Sequence, residues 1–201
     1  MNVGFFFLFC NCSFVLFDTR SIMQLFSLHG VVLDSDMTFK THVERIAAKM
    51  RSRTWALLRL KKKGLDEKNL VAAYCSLIRP LIEYAAPSWH SLITADQAAT
   101  LERQQVQALK NIYGPGISAA KMREKAGLDL LSKRRENMCK KFALKCKTNP
   151  RTEHWFRVRD VPRYARRTNT RYPKFIEPIA RIDRYKNSPK NFLIRKLNEA
   201  E

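Results

Sequence analysis

The sequence is short of acid and of metal-ligand spacing. Asp and Glu number 18 against 38 Lys and Arg in 201 residues, a formal charge of +20. The acids are scattered singly, and Asp34 and Asp36 form the only Asp-x-Asp, at a strand-to-helix turn where Asp commonly caps. Two-metal polymerase and nuclease chemistry needs at least two carboxylates converging on cations about 4 Å apart. No Gly-x-x-x-x-Gly-Lys-Ser/Thr, Gly-x-Ser-x-Gly or His-Glu-x-x-His occurs, so nucleotide hydrolysis and the familiar hydrolases have no anchor. The five cysteines are odd in number and form no Cys-x-x-Cys, while His29, His42, His90 and His154 are dispersed. Cys139 and Cys146, with His154 beyond them, come nearest to a metal constellation. Cys75, Cys139 and Cys146 fall in helical patterns, where a thiol packs as a small hydrophobe. No catalytic residue, metal or cofactor is expected.

What is present is cation. Self-repulsion at +20 opposes the compact state unless an anionic partner relieves it, which points to nucleic acid or an anionic membrane surface. With 45% hydrophobic and 10% aromatic residues the chain is not a basic disordered tail throughout. The charge is graded. Residues 1–30 carry only Asp18 and Arg20; residues 31–120 carry 13 basic and 8 acidic side chains; residues 121–201 carry 24 and 9. The N-terminus holds an uncharged apolar run from Val3 to Phe17. It is shorter than the roughly 20 residues of a bilayer span, lacks a basic flank, and has no small-x-small cleavage site before Asp18. A marginal anchor or signal, a buried strand or hairpin, and a non-native extension all remain compatible with it.

Met23 to Asp34 is rich in β-branched and aromatic residues and predicts a short strand or hairpin leading into a turn. From there to Asn149 the period is helical. Asp36 or Thr38 is expected to cap a long helix through Phe39, Val43, Ile46, Ala47, Met50, Thr54, Leu57 and Leu58, ending before Gly64. A second helix starts at Asp66, with Pro80 kinking it. Thr94 and Gln97 form a capping-box pattern that opens a third, with Leu101, Gln105, Ala108, Leu109 and Ile112 inward. Ser118 is expected to cap a short helix ending at Gly127. Ser132 is expected to cap another, ending near Thr148, with Met138, Cys139, Phe142, Ala143 and Cys146 as its apolar face. The fold class is therefore mainly α: about five helices in a small bundle, preceded by a strand or hairpin and followed by an extended basic tail.

On the long helix Arg45, Lys49, Arg59 and Lys63 lie opposite the apolar stripe, separated by the small Ser52 and Ala56. Most charged stripes are solvated faces; the sharper reading is a rail of cations along a phosphate backbone. Lys133, Lys140 and Lys147 repeat every seven residues on the last bundle helix. Beyond Pro150 the periodicity fails and Arg and Lys interleave with Tyr, Phe, Trp and Pro. Such a segment, including Arg166, Arg167 and Arg171, suits a nucleic acid, because cations meet phosphates and rings stack on bases.

Three strings stand in fixed order: LHGVVLDSDMTFKTHVERIAAK from Leu28, RSRTWALLRLKKKGL from Arg51, and YCSLIRPLIEYAAPSWH from Tyr74. Together they resemble the region after the catalytic palm in reverse transcriptases of Jockey-like non-LTR retrotransposons. The first landmark is met by Gly30, Val31, Asp34, Phe39 and His42, with His29 where that family commonly has Leu. The second is met by Tyr74, Ser76, Ile78, Pro80, Glu83, Tyr84, Ala85 and Trp89. The segment from Leu128 to Pro150 and the RYKNSP from Arg184 are similar more loosely.

The resemblance covers residues 22–198 and implies a primer-grip hairpin at Gly30 and Val31, with following helices acting as a thumb whose cationic rail faces a template-primer duplex. The family's catalytic Tyr/Phe-Ala-Asp-Asp is not in the sequence. The expected organisation is an apolar extension over 1–21, a grip-like strand or hairpin over 22–36, a thumb and connection bundle over 37–149, and a basic tail over 150–201. A truncated element with a spurious start would account for the apolar extension. The expected function is that of a non-catalytic fragment binding an RNA/DNA duplex through backbone contacts. The palm of the parent polymerase is a further implied partner, and location is expected to be nuclear or cytoplasmic. A membrane-anchored basic protein and a decayed, functionless reading frame are the alternatives.

Overall fold

The computed structural model describes residues 25–159 and 173–200. The chain enters through an antiparallel hairpin, β1 (Leu25–Leu28) and β2 (Val31–Asp34), with Leu28 opposite Val31. His29 and Gly30 make the two-residue turn, both at positive φ (47° and 83°). This handedness matches the twist of the flanking strands. It also gives the His29 departure a physical sense, because His is several-fold enriched in the left-handed region. The Tyr84 hydroxyl donates to the His29 carbonyl at 2.8 Å and holds the turn.

Asp34 closes the hairpin and opens the bundle. Its carboxylate accepts the backbone N–H groups of Thr38 (2.6 Å) and Phe39 (3.3 Å), and the Thr38 hydroxyl as well. Burial pushes this carboxyl up, but the Thr38 and Phe39 hydrogen bonds outweigh it and hold it below its ordinary value. The long helix α1 (Lys40–Lys62) starts behind Phe39, a left-handed N-cap (φ 55°) with no side-chain cap of its own; Asp34 holds the two amides just before the helix, and the first helical amide, that of Lys40, donates to the Thr38 hydroxyl at 3.4 Å. Of the two caps the sequence offers, Asp36 or Thr38, the Thr38 hydroxyl takes the Lys40 amide from one position before the N-cap, and Asp36 makes no capping bond among the described residues.

Helix α2 (Glu67–Ala73), a π turn (Tyr74–Ile78) and α3 (Arg79–Glu83) form one helical run. Pro80 has no N–H for the carbonyl one turn back and its ring crowds that turn, and the widened π register resolves both problems. Just before Pro80, where the sequence predicts a kink, the run changes from α to π register. The Arg53 guanidinium from α1 donates to the Leu77 carbonyl inside the widened turn. After α4 (Ala86–Trp89) comes α5 (Ala95–Tyr113), whose Thr94–Gln97 capping box is formed in both directions. Helix α6 (Ala119–Ala126) is capped by Ser118 and ends at Gly127 (φ 62°), as the sequence indicates.

Helix α7 (Leu131–Thr148) departs from expectation at its start. The Leu131 and Ser132 amides donate to the Glu102 carboxylate of α5, at 3.2 and 2.8 Å. An anion at a helix N-terminus satisfies orphan donors and the helix dipole together. Ser132 is thus not the cap. The buried face of α7 carries Leu131, Arg135, Cys139, Ala143 and Cys146, and Phe142 turns outward.

The main core joins α1, α2, the π turn and α5 around Met50, Leu70, Tyr74, Ile78, Ile82, Trp89, Leu101, Leu109 and Ile112. Full burial of such a side chain contributes roughly 1.5–3 kcal/mol. At one edge the Arg135 guanidinium lies over the Trp89 ring, 5.5 Å from its centroid, and its Nε faces His90 Nδ1 at 3.4 Å. Burial, with the Arg135 and Lys196 charges, pushes His90 down to about 4 against the pull of Glu136, so the imidazole is neutral.

The basic tail is not extended throughout. Two short helices, α8 (Asp183–Lys186) and α9 (Pro189–Ala200), end the described chain. Leu193, Ile194 and Leu197 of α9 bury a second core with Cys139, Ala143, Cys146, Phe156 and Phe175. The Asn198 amide clamps the Phe175 backbone from both sides, at 2.9 and 3.1 Å. A face to bury does exist there, in the last twelve residues. Among the described residues no helix is long and apolar enough to cross a membrane. The Val3–Phe17 run lies outside them.

Between α7 and α9, burial pushes the Cys139 thiol up to about 11. Moving a thiol from 9 to 11 lowers its thiolate fraction near pH 8 by about 100-fold. Alkylation followed by peptide mapping should therefore modify Cys139 at least about 100-fold more slowly in native than in urea-unfolded protein. Equal rates would mean that α9 does not cover it.

A candidate nucleic-acid interface on helix α1

The cations of α1 fall into two groups that the sequence does not distinguish. Arg53 is committed to the Leu77 carbonyl, and the Lys61 ammonium donates to the Ile112 carbonyl near the C-terminus of α5 at 2.8 Å. These two hold the bundle together. Arg45, Lys49, Arg51, Arg59, Lys62 and Lys63 are exposed, and among the described residues none makes an ion pair or a side-chain hydrogen bond. The four cations of the expected rail are thus all placed at solvent, on the side away from Val43, Ile46, Met50 and Leu57. From Arg45 to Lys63 the rail runs about 27 Å at 1.5 Å per residue.

Arg45 and Lys49, Arg59 and Lys63, and Arg59 and Lys62 stand one helical turn apart. Each like-charge pair of this spacing costs about 0.2–0.5 kcal/mol in an isolated helix. Favourable placement at the C-terminal end of the helix dipole accounts for Arg59 and Lys62, but not for Arg45, Lys49 or Arg51. The face is repulsive to itself and complementary to a polyanion.

Two features of this face were missed from sequence. Arg51 and Lys62 join the exposed cations, and Trp55 stands among them at 66% exposure. The signal was available: Arg51, Trp55 and Arg59 succeed one another at four-residue steps, beside the rail.

His42 ties α1 to the hairpin. The Val32 N–H donates to His42 Nδ1 at 3.2 Å, and the ring meets Trp89 edge-on at 5.5 Å. Burial, followed by the Arg45 and Lys49 charges, lowers its pKa, which keeps the imidazole an acceptor. The grip-like pair divides. Val31 is buried in the main core, while Gly30 is exposed in the turn. A Cβ on Gly30 would meet only Tyr84 at 3.8 Å, an ordinary contact, so the glycine answers to its positive φ rather than to crowding.

The heptad-spaced lysines of α7 are placed differently from the rail. Lys133 faces Asp129 at 3.5 Å, Lys140 faces Glu136 at 3.6 Å, and Lys147 lies over the Phe175 ring at 5.1 Å. They do not form one open stripe with α1. Arg166, Arg167 and Arg171 lie outside the described residues.

Four carboxylates are in structural use. Asp34 serves the α1 turn; Glu83 takes Arg79 at 3.3 Å and Arg134; Glu102 caps α7; Glu136 holds Lys196 at 2.8 Å. Among the described residues no three His, Cys, Asp or Glu side chains gather as a metal site. Compared with known proteins, the chain matches no family model, no curated protein and no solved structure.

Proposed function

We propose that this chain is a nucleic-acid-binding unit that holds a phosphate backbone along the exposed face of α1, with no polymerase activity of its own. In this reading it is the grip, thumb and connection of a Jockey-like non-LTR reverse transcriptase, and the polyanion is a template-primer duplex. The observation that carries the reading is the set of six exposed cations, unpaired among the described residues, on one side of a helix whose other side is fixed in the core. A rigid helix keeps such charges in register with a backbone without ordering them at the moment of binding. The hairpin latched to the same helix through His42 agrees with a grip beside the thumb.

Salt dependence tests the binding. If four to six phosphates are neutralised on a duplex, log affinity should fall with log salt at a slope of about −3.6 to −5.4. A slope shallower than about −2 would contradict a multi-contact backbone site. Primer extension on an RNA template with magnesium by the purified chain would overturn the non-catalytic part.

A further inference from the structure

We propose that Trp55 is a stacking platform for an unpaired nucleobase, so that the α1 face grips a single strand in a way it cannot grip a duplex. The inference rests on the phosphate-binding reading and adds to the duplex a second form of nucleic acid, a single strand held on the same face. Trp55 lies near the middle of the cationic face, 66% exposed on a helix whose inner side is saturated with core contacts. The same chain buries Trp89 completely, so exposure of an indole is not a general feature of its packing. Among the described residues, Trp55 makes no hydrogen bond, ring contact or cation–π pair. Its ring face and its N–H are both available.

The surroundings suit one occupant. Arg51 and Arg59 flank Trp55 one turn to either side, at the 5–6 Å separation of such helical neighbours, and Ser52 on the adjoining turn is too short to cover the ring. A base set on the indole would leave the phosphates before and after it near the two guanidinium groups. Aromatic side chains bind any base through its π-face, while cations track the backbone, the combination by which single strands are held without sequence preference. In a duplex the bases are stacked on one another and closed to a side chain standing on a convex helix, so there only the cations would act. An acidic protein surface would use the cations as well but offers nothing that requires the flat, uncovered ring.

The test compares an oligothymidylate dodecamer, a dodecamer of abasic sites and a duplex of the same length, titrated by fluorescence anisotropy at low salt. Trp55→Ala should weaken oligothymidylate about 5- to 160-fold and the duplex less than about two-fold. Trp55→Phe should recover most of the loss, and the abasic strand should bind the native protein as weakly as oligothymidylate binds Trp55→Ala. Unchanged melting of both variants would confirm that the fold is intact, as exposure of the residue requires. An oligothymidylate affinity within two-fold of native for Trp55→Ala, or equal losses on both strands and duplex, would overturn the stacking role. In those cases, persistence of duplex binding by native protein leaves the phosphate reading standing. Failure of the native protein to bind any of the three would remove both.

Discussion

Changing Arg45, Lys49, Arg59 and Lys63 together to Gln is expected to weaken duplex binding on the order of 10³-fold near 0.15 M monovalent salt. Each phosphate neutralised on B-form duplex contributes about 0.9 to the slope of log affinity against log salt, so loss of four contacts should flatten it by about 3.6. The affinity loss follows from the same slope at that salt. It should be uniform across sequences, because backbone contacts position a protein without reading bases. The fold should survive, since all four side chains are exposed and none pairs with a carboxylate or carbonyl among the described residues. A matched Arg53→Gln and Lys61→Gln pair gives the contrast. These two cations hold the π turn and the end of α5, so their loss should lower melting temperature while leaving the salt slope near native. If the fourfold variant binds as the native protein does, the rail is a solvated face.

The division between Arg51 and Arg53 marks where sequence reading stopped. Both are cations of one helix, two residues apart, and the period alone places them on different sides without saying what each meets. The Leu77 carbonyl that engages Arg53 comes from another helical run, at the π turn just before Pro80. Features set by local chemistry were legible: the Thr94–Gln97 box, the Ser118 cap, the Gly127 stop, and the rail opposite its apolar stripe. The caps and the stop need only residues within a turn of one another, and the rail only the period of one helix. Features set by distant partners were not. Glu102 caps α7 from another helix, and Asp34 holds the Thr38 and Phe39 amides that lead into α1 from across a turn. Helix α9 is not legible in the sequence because its apolar triad is short and follows a long aperiodic stretch, and its burial depends on a face of α7 from which Phe142 turns away.

Trp89→Ala is expected to be the most damaging single change to the fold, costing about 3–5 kcal/mol as a large-to-small substitution in a closed core. For a chain of this size that corresponds to a fall in melting temperature of about 6–20 °C. The ring is fully buried and joins several elements. Its N–H donates to the Tyr84 carbonyl at 3.1 Å, the His42 ring stands in a T-shaped pair with it, and the Arg135 guanidinium lies over its face. Tyr84 in turn holds the His29 turn, and His42 holds the Val32 amide. Removing the indole should therefore loosen the hairpin before the α1–α5 pair, and hydrogen exchange at Val32 should rise more than exchange at Leu109. Uniform acceleration at the two amides would deny Trp89 its place as the link between hairpin and bundle. Trp55→Ala should change stability by no more than about 0.5 kcal/mol, as an exposed position without partners. The opposite outcomes at two tryptophans separate what holds the helix from what the helix holds. A binding defect in Trp55→Ala at unchanged melting temperature belongs to the exposed face, whereas one in Trp89→Ala would arise through the latch that fixes α1 to the hairpin.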